Sequence, residues 1–148
     1  MEQTLVIVKP DAVAKSLIGE VIRRLEAEGL VVCGLKMVWL AQKEAEGFYQ
    51  VHRRQPFFES LTRFMASGPC VAMVLEGEGA IGRVRTLMGA TDPLKAAEGT
   101  LRRSFAASIE RNVVHGSDSA ASAASEIPYF FNRLEILPSM ERGEISAG

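Results

Sequence analysis

Cysteine is scarce in this chain: Cys33 and Cys70 are the only two in 148 residues, and both sit inside apolar runs. Two such residues supply neither a disulfide framework nor a metal site, so buried reduced thiols are expected. An excess of charge is missing too, since 17 Lys plus Arg face 18 Asp plus Glu for a net charge of -1. That balance gives no bulk attraction to nucleic acid or to an acidic membrane. No segment approaches the roughly 18 unbroken apolar residues of a membrane span. The opening MEQTLVIVKPDA has an acid at residue 2 and a break at Pro10, unlike a secretion signal. The expectation is a cytoplasmic protein with no membrane partner. Equally absent are a G-x-x-x-x-G-K-[ST] phosphate loop, a G-x-G-x-x-G after a strand and a G-x-S-x-G elbow. No cluster of His, Cys and acids has metal-ligand spacing either, so no protein metal site is expected. A chain that handled phosphates would have to build its site from other parts.

What is present suffices for a core. With 47% hydrophobic and 24% charged residues, the chain reads as one domain over residues 1–148. TLVIVK (4–9) is short, β-branched and stopped by Pro10, a buried strand that leaves Lys9 at its C-terminal tip. Ile18, Val21, Ile22 and Leu25 recur on one helical face before Gly29, and LVVCGLKMVWL (30–40) returns as a long strand. Ala45, Phe48, Tyr49 and His52 share a helical face. Pro56 suits the first turn of a second helix carrying Phe57, Leu61, Phe64 and Met65, which makes a helical hairpin. CVAMVLEG (70–77) is a third strand after the break at SGP, and Ile81, Val84 and Met88 mark a helix ending at Gly89. Periodicity then fades from Thr91 to about Asn112, and a long stretch with little core inside a compact domain is usually functional. SDSAASAASEIPYFF reads as a helix of small residues, RLEIL (133–137) alternates like a fourth strand, and the polar SMERGEISAG is expected to be a loosely held tail. Four strands with interleaved helices, and no repeat or linker, predict an α/β (α+β) fold: a ferredoxin-like sandwich with a four-stranded antiparallel sheet covered on one face by helices.

NVVHGSDS (112–119) holds His115, one of two histidines. An imidazole about neutral pH is mostly uncharged and able to take a phosphoryl group or a proton. Standing alone, such a residue is more often a loop histidine before a helix. Here Gly116 permits close backbone approach, Ser117 offers a hydroxyl and Asp118 is a candidate cap for a helix whose N-terminal amides favour an anion. Glu126, on that helix, is either an orienter of the imidazole or a solvated carboxylate. Lys9, Arg85 and Arg102 are available to neutralise phosphate oxygens, against the alternative of surface charges, and Thr91 and Asn112 add neutral donors. Phe57 and Phe58 offer a stacking face, although for one of the two core packing is the better reading.

NVVHGSDS also resembles the active-site signature of the nucleoside diphosphate kinases. The likeness runs through VKPDAV (8–13), IGEVIRRLE (18–26), PFFESL (56–61), SGPCVAMVLEG (67–77), GATDP (89–93) and GTLRRSF (99–105) in order, over nearly the whole chain. The resemblance implies an enzyme that moves the γ-phosphate of a nucleoside triphosphate, typically ATP, to a nucleoside diphosphate by a ping-pong route, maintaining NTP and dNTP pools. It implies His115 as the nucleophile, phosphorylated on Nδ1, with Glu126 and Ser117 assisting its orientation and Tyr49 supporting the pocket. Lys9 and Asn112 are implied to contact the sugar hydroxyl and the phosphate end, and Arg85, Thr91 and Arg102 to hold the phosphates. Phe57 would stack on the base, bordered by Leu61 and Ile109. Mg²⁺ is implied to arrive on the nucleotide phosphates and not in a protein cage. Partners are nucleoside di- and triphosphates and further copies of the chain, as a dimer, tetramer or hexamer.

The chain looks closer to bacterial members, lacking the longer C-terminal extension of many eukaryotic ones. It departs from many relatives at Arg103-Ser104-Phe105, where an acid often precedes the aromatic. Two other function classes weigh less. A nucleic-acid-binding module lacks an aromatic RNA-binding signature on a central strand, which argues against nucleic acid as main partner. A silent nucleotide sensor is disfavoured because the residues assigned to catalysis are all retained.

Overall fold

A computed structural model describes residues 1–139. In chain order the elements are β1 (Glu2–Val8), α1 (Pro10–Ala14), α2 (Ile18–Ala27), β2 (Val31–Val38), α3 (Gln42–Phe48), α4 (Phe58–Met65), β3 (Cys70–Gly77), α5 (Ala80–Met88), α6 (Leu101–Phe105), β4 (Val114–Gly116) and α7 (Ala120–Phe130), with 3-10 turns at Gln50–His52 and Arg133–Glu135. The four strands form one antiparallel sheet in the order β2-β3-β1-β4, the ferredoxin-like arrangement expected.

Strand alternation splits the core in two. Leu5 and Ile7 of β1 pack with Ala72 and Val74 of β3 against a layer holding Ala45, Phe64 and Ile127 of α3, α4 and α7. Val6 and Val8 point the other way, with Met73 and Leu75, onto Val21, Leu25, Val84 and Met88 of α2 and α5. Helices therefore cover both faces of the sheet, not one. That double burial explains why CVAMVLEG reads as a continuous apolar run: every residue of β3 is buried. Cys33 and Cys70 are buried, as expected, and burial pushes the Cys70 thiol up to about 11.

The fourth strand lies elsewhere than in RLEIL. The sheet is completed by Val114–Gly116, three residues at the edge beside β1, too short to show a period. RLEIL opens with the 3-10 turn because Asn132 and Glu135 cap it reciprocally, the Asn132 side chain accepting from Leu134 N at 2.9 Å and Glu135 Oε1 from Asn132 N at 2.9 Å. Leu134 is left 86% exposed. The stretch after Thr91 is not structureless: Thr100 caps α6, whose Leu101 is buried in the core. Pro56 and Phe57 precede α4, which begins at Phe58. The cap of α7 is Ser119 and not Asp118: its hydroxyl accepts from Ser122 N at 3.0 Å, while the Asp118 carboxylate accepts from the Ser122 hydroxyl. Past Ser139 the expected tail lies outside the described residues.

Candidate active site

The sheet brings the first two candidates side by side. Antiparallel pairing sets His115 of β4 opposite Ile7, just before Lys9 leaves β1 and enters α1. Gly116 is required at this point, since a Cβ there would lie 2.6 Å from Met88 Sδ on α5. The glycine allows close approach, as its position suggested, but the surface approached is a helix.

His115 is held from several sides. Its Nε2 lies 2.8 Å from Glu126 Oε1 of α7. The same oxygen accepts from Ser117 Oγ at 2.9 Å, and Ser117 Oγ accepts in turn from Leu5 N of β1 at 3.3 Å. Since a carboxylate only accepts, Nε2 carries a hydrogen, and in the neutral ring Nδ1 then keeps the lone pair. Phe48 meets the imidazole edge-on at 5.2 Å between centroids and Tyr49 at 6.1 Å. Tyr49 is buried, and desolvation pushes its phenol well above the usual tyrosine range, so its hydroxyl stays neutral. A neutral imidazole fixed this way presents Nδ1 in a set direction.

The turn before His115 is strained. Val113 has φ +78° although it is β-branched, and Val114 N donates to Asn112 O at 2.9 Å, which closes a three-residue γ-turn. Such a conformation costs about 1–3 kcal/mol and persists only when its surroundings over-determine it. Here they do: Val113 N donates to the buried Asp11 Oδ2 at 3.1 Å, and Lys9 N donates to Val113 O at 2.8 Å. Nothing in a valine announces positive φ. The role of Asp11 was equally hidden, although it lies within VKPDAV.

The cations gather around the same turn. Lys9 Nζ donates to Glu110 O at 2.7 Å and to Asn112 Oδ1 at 2.8 Å. Burial lowers the Lys9 amine to about 8, with Asp11 opposing the shift and Arg102 adding to it. Arg102 donates to three carbonyls: Nε to Asn112 at 3.3 Å, Nη1 to Gly89 at 3.0 Å and Nη2 to Val114 at 2.8 Å. Burial, and then the nearby Arg85, lower it to about 10, so it remains charged at neutral pH. Asn112 Nδ2 donates to Thr91 O at 3.3 Å, which ties the 91 turn to the 112 turn. Arg85 itself is exposed on α5 and is felt by both Arg102 and Asp118. The remaining expected residues stand outside this bonded network. Phe57 and Ile109 are exposed, Ile109 at the rim of a cleft of about 780 Å³ that Leu94 and Arg103 also line, and Leu61 is half-buried beside the α3–α4 layer.

The nucleoside diphosphate kinase family model matches residues 2–136. The chain belongs to the nucleoside diphosphate kinase family. It is 66% identical to the nucleoside diphosphate kinase of Desulfosudis oleivorans over 93% of this chain and 99% of that one. It is 56% identical to that of Chlamydia trachomatis over 95% of this chain and 99% of the relative. A crystal structure of the Aquifex aeolicus nucleoside diphosphate kinase superposes with a TM-score of 0.90 at 46% identity, covering 92% of this chain and 99% of the other. The protein is thus an enzyme that acts on nucleotides, transferring phosphate from a nucleoside triphosphate to a nucleoside diphosphate. Phe48 and Val113 are the neighbours of His115 that the sequence left unmarked. Phe48 could have been suspected from its place beside Tyr49, whereas Val113 gave no signal.

Proposed function

We propose that this transfer runs in two half-reactions through a phosphohistidine on His115, within a single domain. The observation that carries the reading is the bond from Nε2 to Glu126, which leaves the lone pair on Nδ1. In the first half-reaction that pair forms an N–P bond to the γ-phosphorus. The bond from phosphorus to the bridging oxygen breaks, and its electrons leave on the nucleoside diphosphate. A terminal oxygen of the acceptor diphosphate then attacks the same phosphorus, and the N–P pair returns to Nδ1. Glu126 stabilises the positive charge that the ring acquires in between, and Ser117 keeps the carboxylate in place.

Arg85, Arg102 and Thr91 hold the phosphates, and Lys9 and Asn112 meet the sugar hydroxyl and the phosphate end. A guanidinium has five N–H groups, so Arg102 keeps its three carbonyls and still offers two hydrogens to a phosphate. Phe57 stacks on the base, with Leu61 and Ile109 at its border and Tyr49 backing the pocket. One aromatic face ignores the hydrogen-bonding edge of the base, so many bases share the site. Mg²⁺ comes with the nucleotide and neutralises phosphate oxygens. The residues read as holding the phosphates are cations and neutral donors, the Glu126 carboxylate being engaged by His115 and Ser117, and among the described residues no three or more His, Cys, Asp or Glu gather to hold a metal.

The enzyme works as a homo-oligomer in the cytoplasm, where it maintains NTP and dNTP pools. Support for self-association comes from the exposed apolar side chains of the edge strand β2, Leu35 and Met37, beside Trp39, 65% exposed at its end. Among the described residues no helix is long and apolar enough to cross a membrane.

Incubation with radiolabelled ATP tests the central step. The protein should acquire an acid-labile, base-stable label that GDP removes as GTP, and His115→Ala should acquire none. Full-rate exchange by His115→Ala would sink the proposal.

A further inference from the structure

The chain's second histidine has no part in the chemistry described so far. His52 ends the 3-10 turn after α3, half-buried, with its ring 5.5 Å from Phe57 at an interplanar angle of 57°. On its other side it lies 6.4 Å from Tyr49 at 29°, close to parallel. Tyr49 in turn meets His115 edge-on at 6.1 Å. Phe57, His52, Tyr49 and His115 therefore form a continuous row of rings from the exposed aromatic face to the imidazole.

The backbone reinforces this row. His52 N donates to Tyr49 O at 2.8 Å and Gln55 N donates to His52 O at 2.8 Å, so the turn that carries Phe57 is folded against the end of α3. Phe57 needs such support. It sits ahead of α4, 45% exposed, and a ring in that position has few neighbours to fix its plane. Among the described residues, His52 is the ring placed against it.

We propose that His52 is a positioning residue for nucleotide binding: it backs Phe57 and, through Tyr49, keeps the base-stacking face in register with His115. The inference rests on the reading of Phe57 as the base platform. A histidine suits the place because its ring offers a flat face to two aromatic neighbours while its polar nitrogens tolerate half exposure. A side chain acting in this way contributes to the placing of the base and leaves the chemistry at Nδ1 untouched. Its loss is therefore felt by every nucleotide that carries a base, the ATP donor included, and not by an acceptor without one.

Steady-state transfer from ATP to GDP, and to ribose 5-diphosphate, which keeps the sugar and phosphates but has no base, tests this. With ATP saturating for each variant, His52→Ala should raise KM for GDP about fivefold with kcat within about twofold, and leave both constants for ribose 5-diphosphate unchanged. His52→Phe, which restores a flat ring, should recover most of the lost GDP affinity. An equal loss with both acceptors, or no loss with GDP, overturns the inference, because a general structural defect does not distinguish the two. Phe57→Ala is the control on the underlying reading and should collapse the preference for GDP over ribose 5-diphosphate. If Phe57→Ala leaves that preference intact, the base platform is misplaced and the inference falls with it. If Phe57→Ala removes it and His52→Ala does not, the platform stands and the role of His52 alone is lost.

Discussion

At the phosphoryl end, hydrogen bonds of 2.8–3.3 Å join His115, Glu126 and Ser117 in one group and Lys9, Asn112 and Arg102 in another, and four of the six are buried. At the base end, Phe57 and Ile109 stand exposed, and the Phe57 ring lies against His52. The difference matches what each end must do. In-line transfer needs a nucleophile aimed to within a fraction of an ångström, and only a closed bonded network supplies that. A site that takes many bases must avoid such commitment, because every fixed donor or acceptor would favour one base edge. Substitutions should therefore separate the two ends by kind: kcat at the first, KM at the second.

The largest separation after His115 itself is expected at Glu126. Glu126→Gln keeps the shape but can turn its amide toward Nε2, which would favour the tautomer with hydrogen on Nδ1 and would not stabilise a charged ring. Phosphoenzyme formation in a rapid-mixing experiment should slow about 100-fold, with KM for nucleotides little changed. A KM effect of that size with normal kcat would show that the carboxylate serves binding, and the contrast between the ends would fail.

Lys9 sharpens the comparison through pH. Its folded value of about 8 lies below the ordinary 10.5 because the amine is buried. The charged form is therefore disfavoured by folding, at a cost on the order of 3 kcal/mol. That cost is fully present below about pH 8 and disappears as pH rises from about 8 to about 10.5, where the unfolded chain still binds the proton. Stability from this group should thus increase over the window in which binding of anionic phosphates weakens. Wild-type kcat/KM should fall above about pH 8 while the denaturation midpoint, compared with Lys9→Met, improves. Lys9→Met should lose at least about tenfold in kcat/KM at pH 7 yet be no less stable, since the charge it removes offsets the two hydrogen bonds it gives up. A Lys9→Met protein destabilised by several kcal/mol at pH 7 would contradict the sign of this argument.

The two ends also differed in how far the sequence exposed them. β1, β3 and α2 were legible because burial imposes an apolar run or a 3.6-residue stripe, and NVVHGSDS through its resemblance to a family signature together with the distant Lys9, Arg85, Arg102 and Glu126. β4 and α6 were not, since three and five residues are too few to carry a period. RLEIL misled by alternating with a strand's period, although the caps at Asn132 and Glu135 decide its conformation. Least legible was the scaffold behind His115. The positive φ of Val113 and the three carbonyls on Arg102 are long-range solutions that no local preference encodes. The sequence named candidates for the chemistry, with Glu126 and Ser117 as orienters of His115, but not the turn at Val113 or the carbonyls that hold Arg102.

The smallest expected effect lies at Ile109, and it tests the tolerant end directly. Its side chain is 59% exposed, so Ile109→Ala removes little buried surface and should leave the denaturation midpoint within error. If Ile109 borders the base as proposed, KM for ADP, GDP and CDP should each rise about two- to threefold, with kcat constant, because an apolar edge contact is indifferent to base identity. A large rise for one base alone would mean that Ile109 reads a base edge, and the open end would then be selective after all. An unchanged KM for all three would place the base away from the 106–111 turn and confine recognition to the aromatic row.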